Sequence, residues 1–293
     1  LALWYWSIKI AWLRLFNRNI VGAYQGIGPT YGSLSRRLVT FAVNRTRRFA
    51  VRDTESMEKL VAWGVPAEKL IAATDPAIMA SGVSGTPTNP ISDDILDDFI
   101  AIAPRDWFHY ETGGVVPHRF QSQKPSAENA RYIEHLVQLI EYASQQTGHI
   151  VLVPMHMHQD VDFCRSLAER VSADVPVTVL ADDHIRPRQL RTLLARAKCM
   201  IGFRLHATII ATAAGVPSVN FYYVDKGRVY FDQIDMAEFA FPIEALLEPQ
   251  QGGAIQAAIR AVIDDRASVK NTLAARLDSL REELKASFRN LCE

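Results

Sequence analysis

Short apolar runs that alternate with stretches of helical periodicity constrain this chain more than any other feature. The runs fall at Ile20 to Tyr24, Phe49 to Arg52 and Leu70 to Ala73, then at Phe99 to Ala103, Ile150 to Val153, Val177 to Leu180, Lys198 to Gly202 and Ser218 to Phe221. Between them apolar residues recur at helical spacing, as in Ile133, Leu136, Val137 and Ile140, or Leu190, Leu193, Leu194 and Ala197. Strands joined through helices run parallel, because such a connection returns the chain to the same end of the sheet. The pattern predicts parallel α/β structure in two domains, the second with a Rossmann-like sheet. Gly82, Gly85, Pro87, Asn89 and Pro90 give residues 81–97 the composition of an exposed linker. The expected division is therefore 1–80 for the first domain, 98–251 for the second, and a helical tail over 252–293 packed against the domains rather than in a coiled coil. Three strands make a thin first sheet, and the chain starts without Met inside secondary structure. A first domain incomplete at its amino end is the expectation.

At 293 residues, with 48% hydrophobic and 22% charged residues, the chain has the make-up of a soluble globular protein with a sizeable core. Its formal net charge is zero, yet residues 1–52 hold nine Lys or Arg and no Asp or Glu. That asymmetry suits an anionic ligand or a membrane surface, with a solvated basic face as the plainer reading. A nucleic-acid partner is not indicated, since the aromatic interleaving of a base-stacking platform is missing. Cys164, Cys199 and Cys292 are too widely spaced for a zinc site or a disulfide framework, which points to a reducing cytoplasm. Leu1 to Phe16 is apolar but interrupted by Lys9 and Arg14 and shorter than the roughly 20 residues of a spanning helix, so a buried helix is predicted.

The polar residues gather where the strands end. In the second domain the first strand is followed by Arg105, Trp107 and His109, the second by His156, His158 and Asp160, and the third by Asp182, Asp183 and His184. The fourth is followed by Arg204, Leu205 and His206 at the start of a small-residue helix, and the fifth by Tyr222, Tyr223, Asp225 and Lys226. Two cationic side chains at a helix N-terminus make an anion site, and the carboxyl edge of a parallel sheet is where ligands bind. His156 and His158 fit contacts to substrate hydroxyls, or a metal if they alternate along an extended loop. Asp182 and Asp183 suit a divalent cation or the front of the helix that begins near Pro187. Arg105 to Lys124, with Gly113, Gly114, His118 and Arg119, reads as a long lid-like loop. In the first domain Gln25, Gly26 and Gly28 form a glycine loop after a strand, open to a ligand at the backbone but without the full dinucleotide fingerprint. Arg52 and Asp53 follow the next strand, where Asp53 is either a helix cap or a substrate contact.

Taken in order, Gln25-Gly26-Ile27-Gly28-Pro29, then Val51-Arg52-Asp53 with Ser56, Leu60, Gly64-Val65 and Asp75, then Arg204-Leu205-His206 with Ala211, Pro217 and Lys226, the chain resembles the polysaccharide pyruvyltransferase family over roughly Ile20 to Gln233. The resemblance implies two Rossmann-type domains facing a cleft, as in B-type glycosyltransferases, and an enzyme of exopolysaccharide biosynthesis. It implies transfer of pyruvate from phosphoenolpyruvate to two hydroxyls of a saccharide acceptor as a cyclic ketal. The family's early Gly-Asn-x-Gly-Asp type of element is not found.

On that resemblance Arg105 and Arg204 are the expected clamps on the donor's carboxylate and phosphate, His206 the acid or base, and Lys226 the neutraliser of departing phosphate. Neither a metal nor a redox cofactor is expected. If the acceptor is lipid-linked, the basic opening with Trp4, Trp6 and Trp12 would rest on the inner membrane face. The rival expectations are a nucleotide-sugar glycosyltransferase or epimerase on the same scaffold, and a non-catalytic binding protein for anionic glycans.

Overall fold

The computed structural model describes residues 2–28, 30, 32–79, 99–107, 127–181, 185 and 187–293. It divides into two compact units, one formed by Leu1–Ile78 with Arg276–Glu293 and the other by Met79–Ala275. The linker expected over 81–97 lies outside the described residues. Of the helical tail expected over 252–293, residues 252–275 fall in the second unit and Arg276–Glu293 in the first.

The first unit carries a parallel sheet in the order β1-β2-β3, with β1 at Val21–Gln25, β2 at Arg48–Val51 and β3 at Leu70–Ala72. Its core joins Phe49 and Val51 of β2 and Leu70 of β3 to Val43 of α2 (Ser33–Asn44) and Leu60 of α3 (Thr54–Ala62). The register of β1 shifts between Gly22 and Gln25, and Tyr24 takes a left-handed φ of 52°. A bulge there turns the strand end and strains a non-glycine backbone, a cost that recurs near ligand sites.

The first helix, α1 (Ala2–Phe16), corrects an expectation. Its composition predicts a buried helix, but Leu3, Trp4, Tyr5, Trp6, Ile8, Trp12, Leu13, Leu15 and Phe16 are all exposed. The reason is that α1 packs mainly on α2, with buried Ser7 donating from Oγ to the Leu38 carbonyl, and one neighbour covers one stripe of a helix. Among the described residues no helix is long and apolar enough to cross a membrane.

The second unit holds a six-stranded, wholly parallel sheet in the order β6-β5-β4-β7-β8-β9. Its strands are β4 (Phe99–Ala103), β5 (His149–Leu152), β6 (Val177–Val179), β7 (Cys199–Gly202), β8 (Ser218–Tyr222) and β9 (Ala240–Pro242). Counted from its own first strand the order is 3-2-1-4-5-6, that of a dinucleotide-binding sheet, and it reverses between β4 and β7. Every residue of β4 and β7 is buried, as expected for strands covered on both faces. The sixth strand, β9, was not anticipated. It is three residues long and ends on proline, too little to show a period.

The helices of this unit are α4 (Ala127–Ser144), α5 (Met157–Ala168), α6 (Pro187–Leu194), α7 (Leu205–Ala213), α8 (Lys226–Gln233) and α9 (Gly252–Asp264), followed by the start of α10 (Arg266–Cys292). Phe203, Phe221 and Phe241 form a stacked row with centroids 4.7 and 5.9 Å apart, and Tyr132 of α4 meets Phe203 edge-on. The end of α10 returns to the first unit. There Arg48 donates to the Asn290 carbonyl at 2.7 Å, and Arg47 donates to the carbonyls of Leu291, Cys292 and Glu293. Cations at a helix C-terminus complement its dipole. Part of the basic excess of residues 1–52 is thus spent inside the fold.

Gly202 sets how closely α7 can follow β7. A Cβ built there would lie 2.4 Å from Thr208 Cγ2. Gly202→Ala is expected to cost about 1–3 kcal/mol of stability through this overlap. In a urea-unfolding double-mutant cycle, Thr208→Ser, which removes that methyl, should recover much of the loss.

Candidate active site

In the second unit the loops after β4, β5, β7 and β8 meet over the carboxyl edge where the strand order reverses. Arg105 leaves β4 and is only 3% exposed. Its guanidinium lies 3.5 Å from the ring centroid of Tyr223, which leaves β8, so this stack crosses the end of β7. The Tyr132 hydroxyl donates to the Arg105 carbonyl at 2.8 Å and fixes the turn from beneath. Burial pushes the Tyr132 phenol well above its ordinary pKa, Asp106 pushes it further, and Arg105 and Arg204 pull it back. The two arginines therefore act on the same buried hydroxyl.

Arg204 is the N-cap of α7 in extended backbone. Its side chain is held by Asp160, a residue of α5 that is 1% exposed: Nε donates to Oδ2 at 3.0 Å and Nη2 donates to Oδ1. The same Oδ2 accepts from the backbone N–H groups of Met155 and His156 at 3.2 and 2.9 Å. This carboxylate links the loop after β5 to the loop after β7, across the end of β4. Leu205 and His206 begin α7, with Leu205 half-buried and His206 exposed. Lys226 begins α8, half-buried, behind its N-cap Asp225.

The sequence places Asp160 among the polar residues after the second predicted strand without marking it as a site residue. Its partner is 44 positions away, and no local pattern announces such a pair. The metal reading of His156 and His158 loses its premise, because α5 begins at Met157 and the two histidines do not alternate along an extended loop. His156 is the exposed N-cap of α5 and His158 lies in its first turn, with a side chain outside the described residues. No cluster of metal-ligating side chains occurs among the described residues. Asp182, Asp183, His184, His109, His118 and Arg119 lie outside those residues.

The first unit gathers its own group at the ends of its three strands. Arg52 donates from Nη1 to Asp75 Oδ2 at 2.6 Å. Gly26 makes room for that guanidinium, since a Cβ there would lie 2.5 Å from Arg52 Nε. The missing side chain, read from sequence as an opening for a ligand, is thus filled by the protein's own arginine. Asp53 is the N-cap of α3 and accepts from the Ser56 N–H at 2.6 Å, so the capping alternative holds. Ser56 Oγ in turn accepts from the Ile27 N–H at 2.7 Å, which ties the glycine loop to α3. Gln25 is exposed and folds back to donate to the Ala23 carbonyl, and the Gly28 carbonyl accepts from Thr30 Oγ1.

The family model described as polysaccharide pyruvyl transferase matches residues 3–225. The amylovoran biosynthesis protein AmsJ of Erwinia amylovora is 23% identical over 261 residues, covering 87% of this chain and 60% of AmsJ, so the chain spans less than two thirds of that relative. Among solved structures, Anabaena HepE in complex with UDP superposes with a TM-score of 0.56 at 13% identity, covering 98% of this chain and 75% of HepE. UDP-N-acetylglucosamine 2-epimerase from Rickettsia bellii gives 0.50 at 10% identity, covering 93% and 70%. At such identities the likeness is one of fold, and it supports two Rossmann-like domains.

The cysteines offer a check on the packing beneath the arginines. Burial pushes the Cys164 thiol up to about 12, with Asp160 adding to the shift and Arg204 opposing it, and burial does the same for Cys199. Cys292 is exposed. The thiolate is the reactive form. At pH 8 a disulfide-exchange reagent should therefore modify Cys292 alone in the folded protein and all three cysteines after denaturation.

Proposed function

The chain belongs to the polysaccharide pyruvyl transferase family, and from that premise we propose that it transfers a pyruvyl group from phosphoenolpyruvate to two hydroxyls of one sugar in a polysaccharide or its precursor. The product is a cyclic ketal and the leaving group is phosphate. The observation that carries this reading is the placement of Arg105 and Arg204 at the ends of β4 and β7, adjacent strands where the sheet order reverses. Phosphoenolpyruvate presents a carboxylate and a phosphate on one small carbon frame. Two planar guanidinium groups suit two such anions, because each can donate paired, charge-assisted hydrogen bonds.

The chemistry follows from the donor. Protonation of its methylene carbon leaves a cationic centre at the carbon that bears the carboxylate and phosphate. One sugar hydroxyl attacks that carbon, and a second replaces the phosphate. His206 stands exposed in the first turn of α7, where its imidazole can act as either proton donor or acceptor, which suits it to this proton traffic. The N-terminus of α7 faces charge that builds on the phosphate with backbone N–H groups and a favourable dipole. Lys226, at the start of α8, adds a cation for the same group. The scheme uses no metal and no redox cofactor.

The reading is tested by incubating the protein with phosphoenolpyruvate and glycan acceptors while following phosphate release and acceptor mass. A mass gain equal to one pyruvyl ketal, matched by phosphate, is the expected result. Binding of a sugar nucleotide without either signal would replace it with glycosyl transfer. Arg204→Ala and His206→Ala should each lower transfer by on the order of 100-fold or more while unfolding as cooperatively as the wild type. Arg105→Lys should raise the apparent KM for phosphoenolpyruvate, because lysine supplies neither the fork nor the flat face that lies on Tyr223.

A further inference from the structure

A guanidinium has two edges that can each hold a carboxylate or phosphate through paired hydrogen bonds: the side edge of Nε with one terminal nitrogen, and the end edge of the two terminal nitrogens. In Arg204 the side edge is taken, with Nε and Nη2 both donating to Asp160. Nη1 and the outer hydrogen of Nη2 have no partner among the described residues, and the side chain keeps partial exposure. We propose that Asp160 is the positioning residue of the donor site, orienting Arg204 so that its end edge faces the donor at the reversal point of the sheet. The inference rests on the pyruvyl-transfer reading above.

The geometry gives Asp160 three fixed attachments besides the arginine's own fork. It sits in the first turn of α5, where its backbone N–H donates to the His156 carbonyl at 2.8 Å. Its Oδ2 reaches back to the N–H groups of Met155 and His156, in the manner of a side chain that closes a helix start. The carboxylate therefore cannot swing without breaking the start of α5. Because β4 lies between β5 and β7, the bridge passes over the strand from which Arg105 emerges. A residue anchored in this way sets both the rotamer of Arg204 and its distance from Arg105, and so the spacing at which two anionic groups on one small molecule can be held.

All four groups aimed at the Asp160 oxygens are donors. An asparagine there offers one acceptor oxygen and turns an NH2 toward a donor, so the fork is lost. A glutamate keeps both oxygens and the charge but moves them outward by one methylene, which shifts Arg204 while leaving it paired. Misplacement of a positioning group by about 1 Å can cost on the order of 100-fold in rate, and the same displacement weakens the paired hydrogen bonds to a bound anion.

The experiment is direct titration of wild type, Asp160→Glu, Asp160→Asn, Arg204→Lys and the Asp160→Asn/Arg204→Lys double variant with phosphoenolpyruvate, by calorimetry, with urea unfolding of each. Asp160→Glu and Asp160→Asn should bind the donor at least about 10-fold more weakly than wild type, while Asp160→Asn changes affinity by less than about 3-fold in the Arg204→Lys background. A purely structural role would weaken binding equally in both backgrounds, and that equality would overturn the inference. Should Asp160→Asn fail to fold, Asp160→Glu decides alone: wild-type affinity overturns the proposal, and weakened affinity with intact unfolding sustains it. A folded wild type that binds no phosphoenolpyruvate overturns the donor assignment itself, which is a different failure from a wild type that binds with variants that bind as well.

Discussion

Because β4 and β7 are buried along their whole length, a polar side chain within them would face apolar packing on either side of the sheet. Burying a charge without a partner is costly, so the strands are apolar and their charged neighbours stand just beyond the ends. The parallel order then puts those ends together on one edge. Arg105, Asp160, Arg204 and Tyr223 are distant in sequence yet reach over one another's strands. Arg105 meets Tyr223 across β7, and Arg204 meets Asp160 across β4. The site is a consequence of the sheet, and the aromatic row of Phe203 just after β7, Phe221 of β8 and Phe241 of β9 packs these neighbouring elements against one another.

Much of this was legible in the sequence, for a physical reason. Strands buried on both faces read as continuous apolar runs, so Phe99–Ala103 is recovered with its ends and Cys199–Gly202 within one residue. The N-terminus of α7 was legible because Gly202 and the Arg-Leu-His step mark a strand passing into a helix. What failed to show depends on partners rather than on local pattern. The exposure of α1 is set by how many helices touch it, and the composition of Leu1 to Phe16 says only that the segment is apolar. Asp53 and Asp160 are both acids at the start of a helix after a strand, yet one caps its own helix while the other also grips a distant arginine. No feature of either neighbourhood distinguishes them.

The basic opening of the chain is another case. Nine cations without an acid invite a search for one large anionic partner. Several of them already have occupations within the fold, among them Arg47 and Arg48 on the carbonyl end of α10 and Arg52 on Asp75. The helix end that Arg47 and Arg48 serve lies some 240 residues further along the chain, so composition counts their charge without seeing its use. Gly26 shows the same logic in reverse. Its missing side chain looked like an invitation to a ligand, and it is the space that Arg52 fills.

The ion pair between Asp160 and Arg204 is not explained by stability. Taking two charges from water costs several kcal/mol per ion, and well-packed apolar residues of similar volume stabilise a fold as well or better. A pair at this depth is informative because it fixes direction: a fork on a two-oxygen acceptor has one geometry, whereas apolar packing leaves a side chain free to settle where volume allows. The direction matters only if something must meet the other edge of the guanidinium. Asp160 also holds the start of α5, so the orientation of Arg204 is borrowed from the backbone of a neighbouring loop rather than from the mobile length of its own side chain. An arginine held by two points of its own edge and, through Asp160, by two backbone N–H groups would lose little further freedom to the anion proposed for it. The entropy of ordering that side chain is met in folding, and on the proposed reading the attraction of the anion would be left to act on binding.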